Sequence, residues 1–176
     1  MTTSNLIRWS GLVAMAAGVL NVLDSIFEPL PWLTMFTSVA TVFALIGIYA
    51  VQAETSGRLG LAGYLLATAG YVVIVGQSTT IVGSVPSYLV GVSLSAAGLA
   101  LLAVGSLSAR VFPRWVPGMW LAAIVIGLPS LFFPSLERIL EIAGGTAIGL
   151  GLAGAGYLIW SSGATLAAAR TSAAPS

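Results

Sequence analysis

The six arginines and five acids of this chain stand almost wholly at the ends of six long apolar runs, and the arginines cluster at alternate ends. A run of about 20 apolar residues wound as a helix rises about 30 Å, the thickness of a bilayer's hydrocarbon core. The runs cover 6–27, 32–53, 59–81, 87–109, 115–133 and 138–162. Between them stand turn formers: Glu28-Pro29-Leu30-Pro31, Glu54 to Arg58, Gly83 to Pro86, Arg110 to Arg114, and Pro134-Ser135. Proline ends a helix by removing a donor and fixing φ, and glycine ends it by tolerating the left-handed turn. Charged residues make up only 6% of the chain, against about a quarter in a soluble domain. The sequence therefore predicts an all-α polytopic membrane protein, a single domain of six transmembrane helices over 1–176. The first run, with Arg8 before it, resembles a signal peptide, but it is long enough to span and reads as the first helix.

Arg8, Arg58, Arg110, Arg114 and Arg170 fall on one side of this topology with Glu54. Asp24, Glu28, Glu137, Arg138 and Glu141 fall on the other. The positive-inside rule places both termini in the cytoplasm. Trp9, Trp115 and Trp160 then mark the inner boundary and Trp32 the outer one.

Cysteine and histidine are absent. That removes disulfides, thiolate metal sites and the usual general base, and with them serine–histidine and cysteine–histidine catalysis. No cofactor and no metal site is expected. A net charge of +1 gives no basic footprint for nucleic acid.

Two patterns inside the runs remain. Gly149, Gly151 and Gly154 form G-x-G-x-x-G, but within an apolar helix and with no acid following, so the dinucleotide fingerprint lacks its strand and its ribose ligand. Gly145, Gly149, Gly151 and Ala155 fit close helix packing in lipid instead, against another helix of the bundle or a partner subunit. The second pattern is polar. Asn21, Asp24, Ser25 and Glu28 share one face of helix one, and Thr34, Thr37, Ser38 and Thr41 repeat that spacing on helix two. Gln77 and Arg138 bring further polar groups to the same outer half. Asn21, Asp24, Glu28, Thr37, Thr41, Gln77 and Arg138 are thus candidate ligand-binding residues, with Arg138 as counter-charge to Asp24 or Glu28. The alternative is that headgroup water simply wets them. Pro129 is expected to kink helix five. Arg8-Trp9 with Gly11, Arg58 with Gly60, and Arg114-Trp115 with Gly118 open the odd-numbered helices alike, a pattern suited to three tandem hairpins.

Residues 47–63 (GIYAVQAETSGRLGLAG), 112–115 (FPRW) and 156–160 (GYLIW) together resemble small multi-pass membrane proteins of bacteria that are generally called uncharacterised. The resemblance implies a six-helix bacterial inner-membrane protein and carries no substrate or catalytic residue. Tiny loops, sparse ionisable groups and glycine-rich faces favour a non-enzymatic subunit or scaffold of a membrane complex. Its partners would be membrane lipids and a membrane protein or second copy. The outer polar group favours instead a small carrier, channel or substrate-binding transporter component with an outward-facing pocket for a small molecule. Intramembrane catalysis has only Asp24 and Glu28, one turn apart on one helix, to draw on.

Overall fold

The computed structural model describes the backbone of residues 3–27, 30–76, 81–82, 85–131, 133 and 135–172, and side chains within 7–162 except 81–86 and 131. Six α-helices carry the fold among these residues: α1 (Thr3–Ile26), α2 (Pro31–Gln52), α3 (Gly57–Val75), α4 (Ser87–Ala109), α5 (Trp115–Gly127) and α6 (Glu137–Ser172). Five are long and apolar enough to cross a membrane: α1 from Ile7, α2, α3, α4, and α6 as far as Ser162. The shorter apolar segment Trp115–Ser130 is the sixth.

Two boundaries differ from the sequence reading. Helix three was expected to reach residue 81, but α3 stops at Val75, where the Gly76 N–H closes the last turn on Val72 O at 3.0 Å. Beyond it, Ile81–Val82 (β1) pairs antiparallel with Val85–Pro86 (β2). Three of those four residues are β-branched, which suits extended backbone. Helix five was expected to run to 133 with a kink at Pro129. Pro129 has no N–H to give the carbonyl one turn back, so α5 ends at Gly127 and tightens into a 3-10 turn over Leu128–Leu131. At the other helix ends, Pro31 occupies the first turn of α2, where a missing N–H costs nothing. Gly57 at φ 59° opens α3. Arg110 closes α4 at φ 54°, a left-handed position that costs a side-chain-bearing residue about 1–2 kcal/mol.

Each helix packs on the next in sequence, and α6 closes on α1, so the six form a ring. Two contacts dominate that ring, α1 with α6 and α3 with α4. Both are antiparallel seams of glycines two helical turns apart. A Cβ on Gly11 would lie 2.7 Å from Gly156 O, and one on Gly149 would lie 2.5 Å from Gly18 O. On the opposite side of the ring, a Cβ on Gly70 would lie 2.7 Å from Gly91 O, and one on Gly63 would lie 2.8 Å from Gly98 O. Bare backbones meet at both seams, which is how helices gain dispersion contacts where the surroundings offer no hydrophobic drive.

The expected packing residues of α6 all face inward. Gly145 meets Ser25 and Gly149 meets Gly18 and Val22 on α1; Gly151 meets Trp120 of α5; Ala155 is fully buried. The three similar helix openings do not play equal parts. Gly11 backs onto α6, Gly60 lies against Gly105 of α4, and a Cβ on Gly118 would touch nothing within 4 Å.

Leu45, Ile48, Leu99, Leu102, Trp120 and Leu152 fill the interior. Phe36, Phe43, Leu65, Val72, Val125 and Tyr157 point outward. Tyr49 of α2 and Tyr64 of α3 stack with ring centroids 4.8 Å apart, linking those two helices. Arg8, Arg58, Arg110 and Arg114 lie at one end of the ring, and Asp24, Glu137, Arg138 and Glu141 at the other; these are here the arginine end and the acidic end.

Alanine is favoured over glycine in a helix by up to about 1 kcal/mol. Gly118→Ala should therefore leave the thermal midpoint in detergent unchanged or raise it. Gly98→Ala forces a Cβ into the Leu66–Ala67 backbone, and overpacking of that kind costs about 1–3 kcal/mol, so it should lower the midpoint.

A polar cavity at the acidic end

The ring encloses a cavity of about 890 Å³ at its acidic end. All six helices contribute to it, because the ends of α1, α3 and α5 and the starts of α2, α4 and α6 meet there. The exposed residues Tyr88, Glu137, Arg138 and Glu141 mark the mouth. From Ser87 the lining descends α4 to Leu99, about 18 Å at 1.5 Å per residue. Leu99, Ala123 and Ile148 form an apolar floor; Asn21, Asp24, Ser25, Thr34 and Ser95 put polar atoms on the walls; Tyr71 adds an aromatic ring.

Asp24 is half-buried, and its Oδ1 accepts a hydrogen bond from Thr34 Oγ1 at 2.9 Å. Among the described residues it has no ion-pair partner. The expected counter-charge is committed elsewhere. Arg138 Nη2 donates to Ile26 O at 2.6 Å and to Phe27 O at 3.0 Å, and its Nη1 lies 3.9 Å from Glu141 Oε2. The reason is local. The last carbonyls of a helix lack intrahelical donors and carry its negative dipole end, so a guanidinium arriving from α6 caps α1 before it can serve Asp24.

Of the candidate residues, Asn21, Asp24 and Arg138 line the cavity. Thr37 and Thr41 do not: both are buried between α1 and α2. Thr37 Oγ1 donates to Leu20 O at 3.5 Å; Thr41 Oγ1 donates to Thr37 O at 2.8 Å and accepts from Asn21 Nδ2 at 2.9 Å. The polar stripe of α2 is thus mainly helix-to-helix bonding, with only Thr34 at its end turned to the cavity. Asn21 serves both purposes, donating also to Ala17 O at 2.9 Å. Glu28, Gln77 and the side chain of Arg170 lie outside the described residues.

Sequence reasoning missed several wall residues. Ser95 stands in a small-residue pattern with Gly91 that reads as packing, and it both packs and lines the cavity. Tyr71 and Tyr88 are single aromatics in apolar runs, and only the closed ring shows that they face one space. Also missed was a buried polar contact towards the arginine end, where Ser106 Oγ of α4 donates to Gln52 Oε1 of α2 at 2.7 Å and Gln52 Nε2 is left without a partner. Among the described residues no group of three acids is placed to hold a metal ion.

Comparisons of this chain with protein-family models, with curated proteins and with solved structures give no match.

A hydrogen bond between helices in lipid is worth about 0.6 kcal/mol on average and up to about 1.7. A double-mutant cycle of Asn21→Leu and Thr41→Val, read by unfolding in mixed micelles, should return a coupling energy in that range. No coupling would mean that the Asn21–Thr41 contact contributes nothing to the α1–α2 interface.

Proposed function

We propose that this chain is a six-span membrane protein that binds a small molecule in the cavity at its acidic end, as a small carrier or as the substrate-binding component of a transporter. The observation that carries this reading is the cavity itself, together with the half-buried Asp24 on its wall, which has no ion-pair partner among the described residues. Ligand sites are commonly apolar concavities of about 300–1,000 Å³ with a few fixed polar groups, and this one has that size and make-up.

The fifth segment supports six spans. Thirteen α-helical residues at 1.5 Å and four 3-10 residues at about 2.0 Å reach about 28 Å, close to the thickness of the hydrocarbon core. With six spans, the arginine end faces the cytoplasm with both termini, and the cavity opens outward. The resemblance to small bacterial multi-pass proteins supports the inner membrane as its location.

The scaffold reading drew on the glycine faces of α6 as a surface for a partner. Those faces pack within the chain, against α1 and against Trp115 and Trp120 of α5, which leaves tiny loops and sparse ionisable groups as the features in favour of a scaffold. The outward apolar residues that remain are what lipid contact requires. The reading is of a binding site, in which the Thr34 hydroxyl positions the Asp24 carboxylate.

Native mass spectrometry of protein extracted gently from its own membrane tests this reading. The wild type should retain a reproducible small-molecule mass, and Ala96→Trp, which fills the cavity, should lose it. A bare wild-type protein bound stoichiometrically to another membrane protein would favour the scaffold instead.

A further inference from the structure

On the reading that the cavity binds a small molecule, we infer that its ligand is an organic cation with an apolar body. Three carboxylates line the space, Asp24, Glu137 and Glu141, against the single guanidinium of Arg138. That guanidinium is engaged by two carbonyls of α1 and approached by Glu141, so an anion entering the mouth meets three acids and an arginine already in use.

The two glutamates have a reason to be there without any ligand. Glu137 and Glu141 stand in the first two turns of α6, where the positive end of the helix dipole favours acids. Asp24 has no such reason. It lies two residues before the end of α1, where the dipole disfavours a negative charge. It is half-buried and, among the described residues, held by one hydroxyl. A carboxylate in that position is completed by a positive charge brought from outside.

The rest of the cavity fixes what kind of cation. Among the described residues no group of three acids is placed to hold a metal ion, and a small hydrated ion would leave the apolar floor of Leu99, Ala123 and Ile148 unused. An alkyl- or aryl-substituted ammonium or phosphonium sheds little hydration, buries its apolar groups against that floor, and presents its charge to Asp24. Tyr71 and Tyr88 on the same walls offer ring faces of the kind that attract such cations.

The test uses two probes of the same shape and opposite charge, tetraphenylphosphonium and tetraphenylborate, with binding to the purified full chain followed by calorimetry in detergent. Tetraphenylphosphonium should bind at least tenfold more tightly than tetraphenylborate. Asp24→Asn should weaken the cation at least tenfold and leave the borate unchanged, Asp24→Glu should restore most of the loss, and Glu54→Gln at the arginine end should have no effect. If Asp24→Asn does not give a monodisperse protein, Thr34→Val, which frees the carboxylate from its one hydroxyl, should still shift the cation's affinity and not the borate's. Equal binding of the two probes overturns the inference and leaves the cavity as a binding site. The inference also falls if neither probe binds while the protein from its own membrane still carries a mass that Ala96→Trp removes. If neither probe binds and no mass is retained, the binding reading falls with it.

Discussion

Everything in this structure depends on helices approaching each other at glycine. The α1–α6 and α3–α4 seams bring backbone against backbone at Gly11, Gly18, Gly149 and Gly156, and at Gly63, Gly70, Gly91 and Gly98. Water gives soluble helices a reason to associate that lipid does not. Close packing must supply it instead, and any side chain at these positions would remove it. The seams lie on opposite sides of the ring, so each acts as a rigid two-helix post. The remaining helices, α2 and α5, bridge the posts through larger or polar side chains: Asn21 to Thr41 and Tyr49 to Tyr64 for α2, Trp120 to Gly151 for α5.

A ring of six helices leaves a centre that must be filled or left open. Towards the arginine end it is filled by Trp120, Leu102, Ile48 and the Gln52–Ser106 pair. Towards the acidic end the centre opens into the cavity, with small residues such as Ser95, Ala96, Ala123 and Gly145 among its lining. Helix-end electrostatics then decide how charge is shared there. Arg138 answers the carbonyls that end α1. Glu137 stands in the first turn of α6, where the helix dipole favours an acid, and Glu141 faces Arg138. Asp24 is the charge left over after both ends are satisfied, and for that reason it is the group most directly available to a ligand.

The helices were legible in the sequence because apolar run length and turn chemistry set them one run at a time. Five of the six runs were recovered as long apolar helices. Differences fell at run ends: α3 closes at Gly76, short of the expected residue 81, and at Pro129, where a kink was expected, the end of α5 tightens into a 3-10 turn. Candidate site residues were legible as a face but not as a space. The i, i+3, i+4 spacing put Asn21 and Asp24 on one stripe and Thr34 to Thr41 on another. Which members bond to the next helix and which face the cavity depends on the crossing of α1 and α2. Thr37 and Thr41 went to the interface; Thr34 did not. The role of Arg138 was missed for a related reason, since an open α1 carbonyl end one helix away in space is invisible to spacing along α6.

The central claim is that the bundle is open to water from its acidic end to about half its depth and closed to it elsewhere. The absence of cysteine allows a direct measurement: single-cysteine chains in intact membranes, treated from outside with a charged, membrane-impermeant thiosulfonate. Ser95→Cys, on the cavity wall, should be modified. Val125→Cys, 72% exposed on the outer face of α5, should stay unmodified because lipid covers it. The reverse pattern, with Val125→Cys reactive and Ser95→Cys silent, would contradict the account.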